Sequence, residues 1–128
     1  MSEEKNWQFE LEEYIKQNNP LNLIQNPYAN YAVQSLFNET DIILCEEIIK
    51  IIKANFFSLS MQKFSSNVVE NCIKYSNEEI IKEIFSYVLN ENKLGAMLNN
   101  TYGSFVIEKL INSDNNNAKN NTKIFNIV

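Results

Sequence analysis

Three segments of the chain repeat one pattern of side chains that could contact a nucleotide base. In each segment a polar residue is followed directly by a planar one, and an amide or carboxylate comes four residues after the first. The three triads are Asn30, Tyr31 and Gln34, then Ser66, Asn67 and Glu70, then Ser104, Phe105 and Glu108. At about 100° per residue, the members of one triad share a face of an α-helix. Planar groups suit stacking on bases, and amides or carboxylates suit hydrogen bonds to base edges.

The opposite face of each repeated helix carries an apolar stripe. Its members are Ala29, Ala32, Val33 and Leu36, then Ser65, Val68, Val69 and Cys72, then Gly103, Val106, Ile107 and Leu110. The first member of each set is small, which suits close helix packing. We therefore predict that the stripe packs the repeats together, while the triads form a separate polar face.

The spacing of the repeats predicts the fold class. The repeated segments begin at Tyr28, Phe64 and Tyr102, a period of 36 to 38 residues, and an acidic helical pattern precedes each of them. Helix pairs at such a period predict an all-α fold, an α-solenoid of stacked helical repeats. We expect an array over residues 1–111, an Asn-rich flexible loop over 112–123 and the start of a truncated helix over 124–128, with the repeats at about 7–38, 39–75 and 76–111.

Capping residues and apolar spacing place the individual helices. Asn26 followed by Pro27 predicts a helix start, and we expect Ser60 and Asn77 to be N-caps as well. The predicted helices cover about residues 8–17, 27–38, 41–54, 60–74, 77–88 and 101–111.

Composition and charge restrict the function. The chain has 128 residues, a net charge of -5, 45% hydrophobic residues, two Cys and no His. This predicts one intracellular domain with free thiols, because the N-terminus has no apolar signal core and no apolar run could span a bilayer. Without His or a nucleophile–base pair we expect no enzyme activity, no metal and no other cofactor. The chain also lacks Arg, so bidentate guanidinium contacts to phosphates or guanine are excluded.

The triads and their flanking residues resemble the Pumilio (PUF) family of RNA-binding repeat proteins. The resemblance lies in Asn30-Tyr31-Ala32-Val33-Gln34, in Gln62 to Ile73 and in Tyr102 to Glu108, and it extends over about Gln8 to Ile111. It implies an armadillo-like right-handed superhelix that binds single-stranded RNA, one base per repeat on the concave face. Family members usually hold eight repeats and end caps, so we interpret these three as a fragment, a truncated product or a degenerate gene.

The resemblance also implies the role of each triad residue. Asn30, Gln34, Ser66, Glu70, Ser104 and Glu108 would contact base edges, and Tyr31, Asn67 and Phe105 would occupy the stacking positions. An Asn/Gln pair would read uracil and a Ser/Glu pair guanine, with the RNA antiparallel to the repeats. The third triad departs from the family's usual Asn-Tyr-x-x-Gln, which leaves a preference for 5′-(G/U)GU-3′.

The resemblance further implies a cytoplasmic regulator that binds the 3′-UTR of mRNA, with protein effectors on the convex face and neither DNA nor membrane as a partner. Two alternatives stay open from the residues alone. One is a helical-repeat scaffold for protein interaction, and the other is a fragment that binds no RNA. The net charge of -5 counts against RNA binding, since nucleic-acid binders are usually basic.

Overall fold

The computed structural model describes residues 3–37 and 42–117, and all regular secondary structure in these ranges is α-helical. The helices form three sets, each with a long leading helix, a short helix and a third helix. The first set contains α1 (Glu3–Gln17), α2 (Pro20–Gln25) and α3 (Ala29–Leu36). The second contains α4 (Ile42–Ala54), α5 (Phe56–Ser60) and α6 (Ser65–Tyr75). The third contains α7 (Glu78–Asn90), α8 (Leu94–Leu98) and α9 (Thr101–Asn117).

The third helix of each set carries the triad, and we call α3, α6 and α9 the stacked helices. α3 packs against α6 and α6 packs against α9, while each also packs against the short helix before it. The stripe predicted from the sequence forms this packing surface. All of its members in α6 and α9 are buried, as are Val33 and Leu36 in α3, whereas Ala29 and Ala32 are half-buried.

The small first position of the stripe lies where a stacked helix crosses a short one. The Ser65 hydroxyl donates to the Leu59 carbonyl at 2.7 Å. At the equivalent place in α9, a Cβ on Gly103 would lie 2.6 Å from the carbonyl oxygen of Met97. The predicted close packing at this small position is therefore confirmed at both crossings.

Each repeat contains three helices and not the predicted pair, because a short helix precedes each stacked helix. Ser60 does not cap a helix over 60–74, because it is the last residue of α5 and α6 begins at Ser65. α5 forms because Phe56 and Leu59, three residues apart, are both buried in the core. An element of five residues is too short for helical periodicity to separate it from a turn.

Asparagine side chains bond the first turn of two of the stacked helices, although α3 begins at Ala29 and not at the predicted Pro27. The Asn26 side-chain oxygen accepts from the backbone N–H groups of Tyr28 and Ala29, at 2.8 and 2.9 Å. Asn100 does the same for Tyr102 and Gly103, both at 2.9 Å, although the sequence reading did not identify it. These caps fix where the first and third triads begin along their helices.

The last helix is longer than predicted. We expected α9 to end near Ile111 and the Asn-rich segment 112–123 to be a loop, but residues 112–117 are helical. Asn is a poor helix former, yet extending a helix already anchored by buried Ile107 and Leu110 needs no new nucleation. Residues 118–128, with the rest of the predicted loop and the predicted truncated helix, lie outside the described residues.

The N-cap prediction at Asn77 is confirmed, since its side chain accepts from the N–H of Ile80 at 2.9 Å. Among the described residues, none of the helices is long and apolar enough to span a bilayer.

Candidate nucleic-acid interface

Two adjacent surface depressions lie along the stacked helices. The first depression is lined by Tyr31, Gln34, Asn67, Glu70, Asn71 and Lys109. The second depression is lined by Glu70, Phe105, Glu108, Lys109 and Asn112. They share Glu70 and Lys109, so together they form one surface across all three helices. Six of the nine predicted site residues line it, namely the planar residue and the last residue of every triad.

The first residue of each triad does not line either depression. Asn30 is fully buried and Ser66 nearly so, while Ser104 is half-buried. The Ser66 hydroxyl donates to the Lys63 carbonyl at 3.3 Å, and the Ser104 hydroxyl donates to the Thr101 carbonyl at 2.8 Å. A helical wheel gives the direction of a side chain but not its depth, so the sequence could not separate these short residues from their longer neighbours.

The planar residues are the exposed members of the triads. Tyr31 is 61% exposed and Phe105 is 50% exposed. Asn67, between them, is also exposed and donates to the Lys63 carbonyl at 3.4 Å. Two aromatic rings left in water at equivalent places offer faces on which bases can stack.

The last residues of the triads supply the polar groups of the depressions. Gln34 and Glu70 are half-buried and Glu108 is exposed. Burial raises the pKa of the Glu70 carboxyl above its ordinary 4.5, the positive charge of Lys109 lowers it, and the negative charge of Glu108 raises it again. Glu70 is thus a partly desolvated acceptor with a cation on the next stacked helix.

Sequence reasoning missed Asn71 and Lys109, which follow directly after the last residue of the second and third triads. Asn71 reaches back to the preceding repeat, where its amide nitrogen donates to the Gln34 side-chain oxygen at 2.6 Å. On the helical wheel this position lies only roughly 40° beyond the planar residue. That signal could have placed both residues on the triad face.

The two cysteines lie outside this surface. Neither forms a disulfide, and Cys72 is buried while Cys45 is half-buried. Burial raises the pKa of the Cys72 thiol to about 11, so it is protonated at neutral pH and unreactive. Within the described ranges, His, Cys, Asp and Glu form no group of three that could hold a metal ion.

The comparisons with known proteins agree on one family. The family sequence model described as "Pumilio-family RNA binding repeat" matches residues 21–52, 55–89 and 99–121 of this chain. Pumilio homolog 12 of Arabidopsis thaliana is 33% identical over 100 residues, which cover 78% of this chain and 17% of that protein. Fem-3 mRNA-binding factor 1 of Caenorhabditis elegans is 27% identical over 100 residues, which cover 70% of this chain and 16% of that protein. The chain therefore spans about a sixth of the length of these relatives.

Solved structures match the same arrangement of helices. The Puf3 RNA binding domain bound to a Cox17 RNA 3′ UTR recognition sequence superposes with a TM-score of 0.71 at 21% identity, over 79% of this chain and 29% of that one. PUF-8 in complex with PBE-RNA superposes with a TM-score of 0.69 at 21% identity, over 77% of this chain and 30% of that one. The predicted all-α solenoid is confirmed.

Proposed function

The chain belongs to the Pumilio family of RNA-binding repeat proteins, and we propose that it binds single-stranded RNA along its stacked helices, one base per repeat. The observation that carries this proposal is the pair of adjoining depressions. In them, an exposed planar residue and a polar last residue from each of three successive triads lie side by side. A row of planar and hydrogen-bonding groups at the repeat period suits stacked bases with their edges turned toward the protein.

We propose that the second repeat binds guanine through Glu70. A carboxylate accepts the N1–H and N2–H₂ donors that guanine presents on one edge, and uracil offers no matching pair. Ser66 is nearly buried and its hydroxyl is bonded within its own helix, so Glu70 makes the principal contact.

The first repeat, with Gln34 and Asn30, is proposed to bind uracil. The third repeat presents Glu108 beside Phe105, and its acceptor favours guanine over the uracil that the family pattern would give at this place. With antiparallel RNA the preferred core is 5′-GGU-3′, with 5′-UGU-3′ as the weaker alternative.

The charge of the stacked helices fits contacts to bases better than contacts to phosphates. The stacked helices, together with Lys63 just before α6, carry three lysines and three acidic residues: Lys63, Glu70, Lys74, Glu108, Lys109 and Asp114. A surface with no net positive charge gives little counterion release, so stacking and base edges must supply the affinity. Three stacked bases contribute roughly 3–9 kcal/mol before the cost of ordering the RNA, which predicts a micromolar or weaker Kd.

We further propose that the RNA is the 3′-UTR of an mRNA and that the protein regulates that mRNA after transcription in the cytoplasm. The support is the family and the mRNA named for its relatives. Protein effectors on the convex face stay a prediction.

Fluorescence anisotropy of labelled short RNAs tests the proposal. We expect RNAs containing GGU to bind tightest, UGU second and ACA weakest, all in the same flanking sequence. Equal affinity for GGU and UGU would show that Ser104 and Glu108 do not read a base. Equal affinity for all three, or no binding of any, would contradict the proposed function and favour a scaffold that binds proteins instead.

A further inference from the structure

A continuous chain of hydrogen bonds crosses from the second stacked helix to the first. Asn71 donates to the Gln34 side-chain oxygen at 2.6 Å, and the Gln34 amide nitrogen donates to the Asn30 side-chain oxygen at 2.8 Å. The Asn30 amide nitrogen in turn donates to the backbone carbonyls of Asn26 and Pro27, at 2.8 and 3.0 Å. Three side-chain amides from two repeats are therefore linked in series.

The direction of this chain is set at its buried end. Backbone carbonyls can only accept, so Asn30 must present its amide nitrogen to them and its oxygen to Gln34. Gln34 must then present its nitrogen to Asn30 and its oxygen to Asn71. Asn71 closes the series as the donor, and reversing Gln34 would place oxygen against oxygen and nitrogen against nitrogen.

The order of donor and acceptor on Gln34 decides which pyrimidine it can pair with. The Gln34 amide still has one free N–H and one free oxygen lone pair after its bonds to Asn30 and Asn71 are counted. Uracil presents a carbonyl at C4 beside an N–H at N3, whereas cytosine presents an amino group beside an unprotonated nitrogen. The two bases have the same shape, so an amide that could turn over freely would accept both.

We infer that Asn71 is a positioning residue that, together with Asn30, holds the Gln34 amide in one orientation and thereby makes the first repeat prefer uracil over cytosine. Without Asn71 only the bond to Asn30 would oppose reversal of the amide. This inference rests on the proposed function and adds to it a specificity-determining residue outside the triads. Because Asn71 belongs to the second repeat, the base preference of one repeat depends on a side chain supplied by the next.

The third repeat places a charged residue at the equivalent position. Lys109 occupies the place in α9 that Asn71 occupies in α6, and it lines both depressions beside Glu70. Its positive charge favours the ionised form of that carboxylate. In each case the residue after the last triad position is complementary to the last triad residue of the preceding repeat. Asn71 donates to the amide of Gln34, and the positive charge of Lys109 acts on the carboxylate of Glu70.

The test compares an Asn71→Leu variant with wild type on two RNAs that differ at one base. The RNAs contain 5′-GU-3′ or 5′-GC-3′ in identical flanks, and anisotropy gives the ratio of their Kd values. Ser35→Ala is the matched control, because Ser35 holds the equivalent place in α3 but its hydroxyl donates to the Ala32 carbonyl of its own helix at 2.7 Å. We expect the preference for uracil to fall about fivefold to tenfold in Asn71→Leu and to stay unchanged in Ser35→Ala.

Two further measurements keep the outcome decisive. The side-chain ¹⁵N–¹H signals of Gln34 should shift in the variant, with or without RNA, because the Gln34 oxygen loses the donor from Asn71. Asn71→Asp, which keeps the shape and removes the donor, replaces the leucine variant if that one does not fold. If these variants bind RNA as tightly as wild type and keep its preference for uracil, the positioning role is overturned while the proposed function stands. If wild type binds neither RNA, the proposed function fails and the positioning role fails with it.

Discussion

Glu70 is a partly buried carboxylate with two charged neighbours on the next stacked helix. Burial raises its pKa above 4.5, and Lys109 opposes this while Glu108 adds to it. The proposed contact to guanine needs the ionised carboxylate, which is lost as the pH falls through this raised pKa. The pH dependence of binding therefore reports on this one residue.

As the pH is lowered, we expect the preference for guanine at the second repeat to weaken before pH 4.5 is reached. Replacing Lys109 by Met removes the charge that favours the ionised form, so the loss should move to higher pH. Anisotropy with RNAs carrying G or A at this base, from pH 4.5 to 8, measures the effect. The preference for uracil at the first repeat is the internal control, and superimposable profiles for the two proteins would contradict the role of Lys109.

Stability should depend on Glu70 in the opposite sense from binding. A carboxyl group with a raised pKa in the folded state favours folding at low pH, and this contribution is lost as the pH rises through the folded pKa. At pH 7 we expect Glu70→Gln to unfold at the same or a higher urea concentration than wild type while losing its preference for guanine. A variant that lost both together would show that Glu70 is needed for the fold.

At the level of single helices, the two glycines have opposite predicted roles. A Cβ on Gly103 would lie 2.6 Å from the Met97 carbonyl oxygen, whereas a Cβ on Gly95 has no neighbour within 4 Å. Gly103→Ala forces α9 away from α8 and should destabilise the fold by about 1–3 kcal/mol. Gly95→Ala in α8 should be neutral or stabilising by up to about 1 kcal/mol. Urea unfolding of both variants checks this, and equal stabilities would refute the tight crossing.

Sequence reasoning located the long helices better than the short ones. The inner stripe over α6 repeats for three turns, so Val68, Val69 and Cys72 were placed in the core correctly. Helices of five or six residues, such as α5 and α8, show less than two turns of any pattern. They are held by tertiary contacts of residues such as Phe56 and Met97, which periodicity does not reveal.

The candidate site was predictable only in part, for a related reason. The triads follow from residue types and spacing within one helix, which a sequence displays directly. The bond from Asn71 to Gln34 joins residues 37 positions apart on neighbouring helices, and its existence depends on how those helices stack. The burial of Asn30 likewise depends on what packs over it.

For the molecule as a whole, the distribution of charge predicts a weak dependence of RNA binding on salt. The net charge is -5, and the stacked helices with Lys63 just before α6 are close to neutral. Neutralising at most about one phosphate gives a change in Kd of less than about threefold between 50 and 200 mM salt. Anisotropy titrations with the GGU RNA at four salt concentrations measure the slope. A tenfold or larger change would point to phosphate contacts that the stacked helices do not supply.

The hydrogen-bonded amides that join α6 to α3 bear on how such arrays could be redesigned. If each repeat were an independent module, a triad could be moved to a new place and keep its base. Here the donor that orients Gln34 is encoded 37 residues downstream, in the neighbouring module. A recombinant array assembled by exchanging whole repeats would separate the two. If the exchange boundary is drawn after Asn71, the first triad is transferred together with the part of the next stacked helix that orients Gln34, and recognition is kept intact.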